Sequence, residues 1–303
     1  DILGVVATIL GVSVTIGFGV SQFVDGVYAV SGMEWLMSDK SEALKPSTVG
    51  LMAALLVIMV LSILSAVSGV GRGIKYLSNL NLVLSTILLL TFIIFGSFSF
   101  AMTTFGTGLI DYVLNFIPLS FGAYEPQSVE VFARSIPEVA NALSEEDFGA
   151  IYSSAMSPSG SLSVFTDEIP ASITGLDAEA LYAAGVQGRQ FGWQVSSTTF
   201  YWSWWIAFSP FVGLFLARIS KGRTIREFIF GCVFAPAIVC FLWMTILGGT
   251  AIDLEMNGDA AGSLIAASDT DKLFATLKQM ISGVFLLVIT VMCVVMITTF
   301  LVT

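Results

Sequence analysis

Histidine is absent from the 303 residues. Its absence removes the commonest metal ligand and the usual base at neutral pH, and with them membrane metalloproteases and haem-bearing helices with His ligands. Charge is the next scarcity: 11% of residues are charged, against 56% hydrophobic. A soluble domain of this size needs far more charge to cover its surface. Three cysteines, Cys232, Cys240 and Cys293, all fall in long apolar runs. They read as small buried apolar residues and carry no information about redox compartment. The apolar runs also hold no paired carboxylates, Cys/His pair or metal-ligand spacing, so no enzyme, cofactor or metal centre is expected. The first apolar run is too long for a secretory signal and lacks a basic start and a cleavage site.

What the sequence does contain is runs of about 18 or more uncharged residues, enough to cross roughly 30 Å of hydrocarbon. Spans are expected at about 2–24, 48–70, 80–106, 197–217, 228–250 and 279–303. The fold class is therefore an all-α polytopic membrane protein in the lipid bilayer. Three spans occupy 1–106 and three occupy 197–303, separated by an outer segment at 107–196.

The net charge of −10 becomes informative once it is divided by side. Arg72 and Lys75 follow the second span, and Arg218, Lys221, Arg223 and Arg226 follow the fourth. The positive-inside rule makes loops 71–79 and 218–227 cytoplasmic and 107–196 external. This is the orientation of a multi-pass protein of the cell's inner membrane, with no nucleic-acid partner expected. The outer segment begins with "GLIDYVLNFIPLSFG", moderately apolar and too short to span, which reads as an interfacial amphipathic helix. An acidic, Ser/Pro/Gly-rich stretch with short helices should follow, and 264–278 should form another short surface helix. "SGVGRG" at 68–73 lacks a following Lys-Ser/Thr and is not a nucleotide site. Inside the first span Thr8, Ser13, Thr15, Gly17 and Gly19 are small or polar, the kind of residue that lets helices approach closely.

The densest signal is "FYWSWWIAFSPFVG" at 200–213. At about 100° per residue, Trp202, Trp204, Trp205, Phe208 and Phe211 fall on one half of a helix. Ser203, Ile206, Ala207 and Pro210 fall on the other. An interfacial aromatic belt explains Tyr201 and Trp202. It does not explain Phe208 and Phe211, roughly 15–20 Å deeper at 1.5 Å per residue. Plain packing of large rings is one alternative. The other is a box of ring faces for a cation that cannot be hydrogen-bonded. Ring faces attract a desolvated quaternary ammonium by about 2 kcal/mol, and the expected spans offer almost no carboxylate instead. Pro210 would free a backbone carbonyl for an ion or water.

Taken whole, "FYWSWWIAFSPFVGLFLARISKGRTIREFI" resembles the signature of the betaine/choline/carnitine transporter family. "ATILGVSVTIGFGVSQ" is similar to that family's fifth helix and "SGVGRGIKYLSNLNLVLS" to its sixth-to-seventh connection. "VFLLVITVMCVVMITTFLVT" resembles its tenth helix. The resemblance implies part of an inverted-repeat (LeuT-like) secondary transporter with a midplane site between broken helices. It implies that Trp204, Trp205 and Phe208 belong to the aromatic box, Phe208 standing where a Trp is common, and that Trp202 lies near the outer end of the pathway. It places Thr8 and Phe211 at one sodium site, with Val12 where a second hydroxyl is usual, and Phe300 and Thr303 at a second. The interfacial run would form homotrimer contacts. Six helices against the family's usual twelve lead us to expect a fragment of a longer protein. The implied function is sodium symport of an onium compatible solute such as glycine betaine, in osmoprotection. A structural subunit of a membrane complex and a proton-coupled choline/carnitine transporter are the alternatives.

Overall fold

The computed structural model describes residues 2–38, 45–68, 75–156, 183–258, 260 and 262–302. Six of its helical runs are long and apolar enough to cross a membrane: Ile2–Ser31, Thr48–Val67, Lys75–Phe95, Val186–Ile219, Ile225–Asn257 and Gly283–Val302. The chain is a polytopic helical protein that divides into two compact units. One comprises residues 1–113 and 210–303, the other 114–209.

The first unit opens with α1 (Ile2–Ser31), followed by a single 3-10 turn and a two-residue antiparallel pair, β1 (Met37–Ser38) with β2 (Lys45–Pro46). Helices α2 (Thr48–Ser68), α3 (Lys75–Phe95) and α4 (Phe98–Leu114) follow. α1 outruns its expected end at 24 by about two turns, because nothing in "VDGVYAVS" breaks a helix before Gly32, which takes φ 66°. Its small residues give the close approach the sequence suggested. A side chain at Gly19 would strike Leu301, and a Cβ at Gly26 would lie 2.7 Å from both Phe274 and Val294. Gly17, by contrast, faces open space.

The third span, expected at 80–106, is divided instead. α3 ends at Phe95 and α4 starts at Phe98, with Gly96 and Ser97 between them. At Gly96 a Cβ would sit 2.5 Å from the Phe92 carbonyl and 2.7 Å from the Thr250 hydroxyl. The tight crossing requires glycine, and the least helix-favouring residue short of proline sits where the ladder stops. The helix over 108–120 is likewise two pieces, the end of α4 and α5 (Phe116–Phe121), joined at Asn115.

The core of the first unit joins Leu88 and Phe92 of α3, Ala101 of α4, Ile246, Phe274, Leu277, and Ile289, Cys293 and Ile297. Ile246 lies on α12 (Ala235–Asn257), which continues through a π-helical turn from α11 (Ile225–Ile229). Phe274 and Leu277 lie on α14 (Lys272–Met280), preceded by the single turn α13 (Ser263–Ala266). The last three residues lie on α15 (Gly283–Val302). A second cluster, Val20, Val24, Leu36, Met37, Ala54 and Ile58, fixes α1 to α2 and the strand pair. Where 264–278 was expected as one surface helix, two are present.

The second unit contains α6 (Val129–Ser135), α7 (Pro137–Ala142), α8 (Glu145–Met156) and α9 (Val186–Trp193). Phe132, Ile136, Val139, Phe148, Ile151 and Ala155 make a separate small core. Gln127 ties it together: its amide donates to the Ala184 carbonyl at 2.7 Å and accepts from the Gly188 N–H at 3.0 Å. Residues 157–182 of the acidic stretch lie outside the described residues.

Candidate functional site

α10 (Thr199–Ile219) carries the aromatic run, and the helical path into it starts at Val186, earlier than the expected 197. A π-helical turn at Gln194–Thr198 inserts extra backbone just before the rings. Such turns occur frequently at functional sites. Gln194 in that turn accepts from the Tyr124 N–H at 2.9 Å and donates to the Gly122 carbonyl at 2.7 Å. The segment after α5 is thereby clamped to the start of α10. A polar residue ahead of an apolar run was the only sign of this clamp in the sequence.

Of the predicted binding residues, Trp204 and Trp205 are brought together, their ring centroids 6.2 Å apart and tilted by 40°. Trp204 is the centre of the group, with Phe200 at 6.2 Å and Tyr201 at 6.1 Å. Trp204 and Phe208 are partly covered, while Trp205 remains 61% exposed. Trp202 is separated from this strip. It lines an open cavity of about 440 Å³ with Ser120, Gln194, Val195, Thr198, Thr199, Ser203 and Ile206. Trp202, expected on the ring-bearing half of the helix, instead lines this cavity with Ser203 and Ile206 of the other half, since Trp202 and Ile206 lie one turn apart.

Pro210 lies inside α10 without ending it. It cannot donate to the Ile206 carbonyl one turn back. The Ser209 hydroxyl does so instead, at 2.8 Å. The carbonyl that the sequence offered as free for an ion or water therefore already accepts one hydrogen bond and retains one lone pair.

Thr8 is half-buried, and its hydroxyl proton is given to the Gly4 carbonyl at 2.8 Å, leaving only oxygen lone pairs for an ion. Gly4 in turn meets Pro210, where an added Cβ would stand 3.7 Å from the proline ring. Gly4, one turn before Thr8, thus touches α10 at the neighbour of Phe211. Phe300 lies near the end of α15 and is 59% exposed. Thr303 lies outside the described residues. α1 and α15 run antiparallel, Gly19 meeting Leu301 and Gly26 meeting Val294. In that register Phe300 faces the level of residue 20 on α1, about 18 Å along the axis from Thr8. The two sodium positions implied by the sequence are therefore separate levels of the bundle.

One polar group beside Phe300 was not anticipated. Asn81 donates to the Met296 carbonyl at 2.9 Å and to the Thr299 hydroxyl at 3.2 Å, and accepts from Ser85 at 3.1 Å. The asparagine at the start of the third span was the only available signal, and it fixes α3 against the turn that carries Phe300.

The profile of the betaine/carnitine/choline family transporters matches residues 1–135 and 157–303. The chain is 32% identical over 280 residues to the glycine betaine transporter OpuD of Bacillus subtilis, which covers 92% of this chain and 40% of that protein. It is 31% identical over 280 residues to a glycine betaine/proline/choline transporter of Vibrio parahaemolyticus, covering 92% of this chain and 37% of that one. A probable glycine betaine transporter of Desulfitobacterium hafniense is 30% identical over 298 residues, 97% of this chain and 45% of its own length. The chain thus spans less than half the length of these relatives.

Proposed function

Since the chain belongs to the betaine/carnitine/choline transporter family, we propose that it forms part of a secondary transporter for a methylated onium zwitterion such as glycine betaine, taken up as a compatible solute. The observation that carries this reading is the paired ring faces of Trp204 and Trp205. A trimethylammonium group has no N–H to donate, so a hydrogen-bonding pocket gains little from it. Ring faces attract the cation through the quadrupole and the methyl groups through dispersion, together about 2 kcal/mol per well-placed ring when desolvated. Phe208, one turn beyond Trp204, adds a third face, and Trp202 lines the outer approach. Choline, carnitine and a sulfonium analogue share the chemistry that this face recognises.

The finer assignments belong to the same reading. Sodium is the coupling ion, held at one level by Thr8 and Phe211 and at another by Phe300 and Thr303. The protein lies in the inner membrane with loops 71–79 and 218–227 cytoplasmic and 107–196 outside. The segment formed by the end of α4 and α5 contributes to a homotrimer. No catalytic residue is assigned.

The test is uptake of radiolabelled glycine betaine by the full-length protein in reconstituted vesicles. Trp205→Ala should abolish saturable uptake at unchanged protein level, and Trp205→Phe should restore part of it. An unchanged KM in Trp205→Ala would remove the aromatic site.

A further inference from the structure

Asp25 is the most deeply buried carboxylate among the described residues, at 1% exposure, and it lies within α1, a membrane-length helix. Neither carboxylate oxygen has a hydrogen-bond partner among them. The polar groups near enough to act on it are the side chain of Thr270 and the carboxylate of Asp271. Both belong to the turn that leads into α14. At Gly26, next in the chain, α1 presses on Phe274 of α14 and Val294 of α15. Bulk water is kept from the carboxylate by this packing.

A buried charge in such a place costs several kcal/mol unless a counter-charge compensates it. Among the described residues, the neighbouring elements supply none to Asp25. α2 and α15 contain no charged residue. Glu34 of the 3-10 turn and Lys45 of β2 are exposed. On α14, Lys272 is engaged by Asp269 at 2.6 Å. Lys278 acts on Asp271, opposing the burial that holds that carboxyl above the usual carboxylate range. Asp25, Asp271 and Lys278 together leave one negative charge in excess. The donors that face inward are carboxylate and hydroxyl oxygens, which suit hard cations.

We propose that Asp25, Asp271 and Thr270 form a binding site for one monovalent alkali cation, pinning α1 to the start of α14. The site is distinct from the Thr8/Phe211 and Phe300/Thr303 positions and does not rest on the transport reading. The ion supplies the counter-charge that Asp25 lacks, and its ligands come from two segments more than 240 residues apart in sequence. Occupancy therefore ties the outer turn to the first helix. Protons compete for the same excess charge.

The experiment is equilibrium binding of radioactive sodium to the purified full-length protein at pH 7.5, with ionic strength held by N-methylglucamine chloride. Asp25→Asn should bind one sodium fewer per protomer than the wild type. Asn has nearly the same shape and removes an unpaired buried charge, so the variant should remain monodisperse. Asp271→Asn, which keeps Asp25, should weaken the same ion at least tenfold and serves if Asp25→Asn does not fold. At pH 5.5 the wild type should lose that one ion while Asp25→Asn changes little. Equal sodium stoichiometry in wild type and both variants overturns the proposal. So does calcium binding that needs Asp25 while sodium binding does not, or a site that only protons fill. The readout is a difference of one ion, whatever number the transport cycle uses, so its failure is separate from failure of the sodium-coupling reading.

Discussion

At Gly96 a single residue decides where a membrane helix ends. Its neighbours within reach are the Phe92 carbonyl at 2.5 Å and the Thr250 side chain at 2.7 Å, measured from a would-be Cβ. Neither can withdraw easily. The carbonyl is backbone, and the Thr250 hydroxyl, fully buried, is bound to the Ile246 carbonyl at 2.7 Å. Gly96→Ala should therefore force α3 and α12 apart and cost about 1–3 kcal/mol. Gly106→Ala, on a face with nothing within 4 Å, is the matched control and should be neutral or slightly stabilising. Thermal unfolding of the two variants in detergent separates them, and equal midpoints would show that the crossing yields more readily than the geometry indicates. The same scale shows what residue types alone conceal. The sequence identifies the rings of Trp204 and Trp205 and their common face, because helical phase depends only on spacing. It cannot say that Ser209 takes the carbonyl Pro210 leaves, or that Asp25, one residue past an expected span end, lies inside a helix. Both depend on where the backbone continues.

Among the elements, apolar length identifies six spans, because the bilayer sets a minimum that composition must meet. The sequence reads less well where pieces are short. The divided third span, the π-helical turns at Gln194–Thr198 and Phe230–Phe234, and the short helices between residues 116 and 193 have no apolar period of their own. Several of them are held by side chains reaching across tens of residues, and Gln127 is the clearest case. It is 5% exposed and serves Ala184 and Gly188 at once, while Arg189 beside them donates to the Ala155 carbonyl at 3.1 Å. Gln127→Leu keeps the volume but strands one N–H and one carbonyl. Each lost partner costs about 1–3 kcal/mol, more than a small six-residue core can absorb without local opening. Hydrogen exchange should report faster exchange of the Gly188 and Arg189 amides, with protection in α3 and α15 unchanged. If exchange at Gly188 is as slow as in the wild type, Gln127 is not the clamp.

For the whole molecule, the transport reading proposed above makes the direction and strength of uptake depend on the coupling ion. Expecting sodium rests on hydroxyl and ring ligands at Thr8, Phe211, Phe300 and Thr303, and on a lack of acids deep in the spans. Asp25 alters the second premise, since a buried carboxylate within α1 could carry a proton. The two readings predict different energetics. Two sodium ions per zwitterion move two charges, so a tenfold inward sodium gradient supplies about 2.8 kcal/mol, roughly a hundredfold accumulation. Each 100 mV of membrane potential adds about 2.3 kcal/mol per charge. Reconstituted full-length protein should accumulate glycine betaine under an inward sodium gradient at equal pH on both sides, more steeply as the interior is made negative. Potassium in place of sodium should abolish accumulation. Asp25→Asn separates the roles further: a proton carrier would lose all pH-driven accumulation with that carboxylate. An ion that only pins α1 to α14 leaves the limiting accumulation ratio untouched and changes the rate alone. Accumulation driven by a pH gradient in sodium-free medium, and lost in Asp25→Asn, would transfer the coupling role from the hydroxyl sites to Asp25.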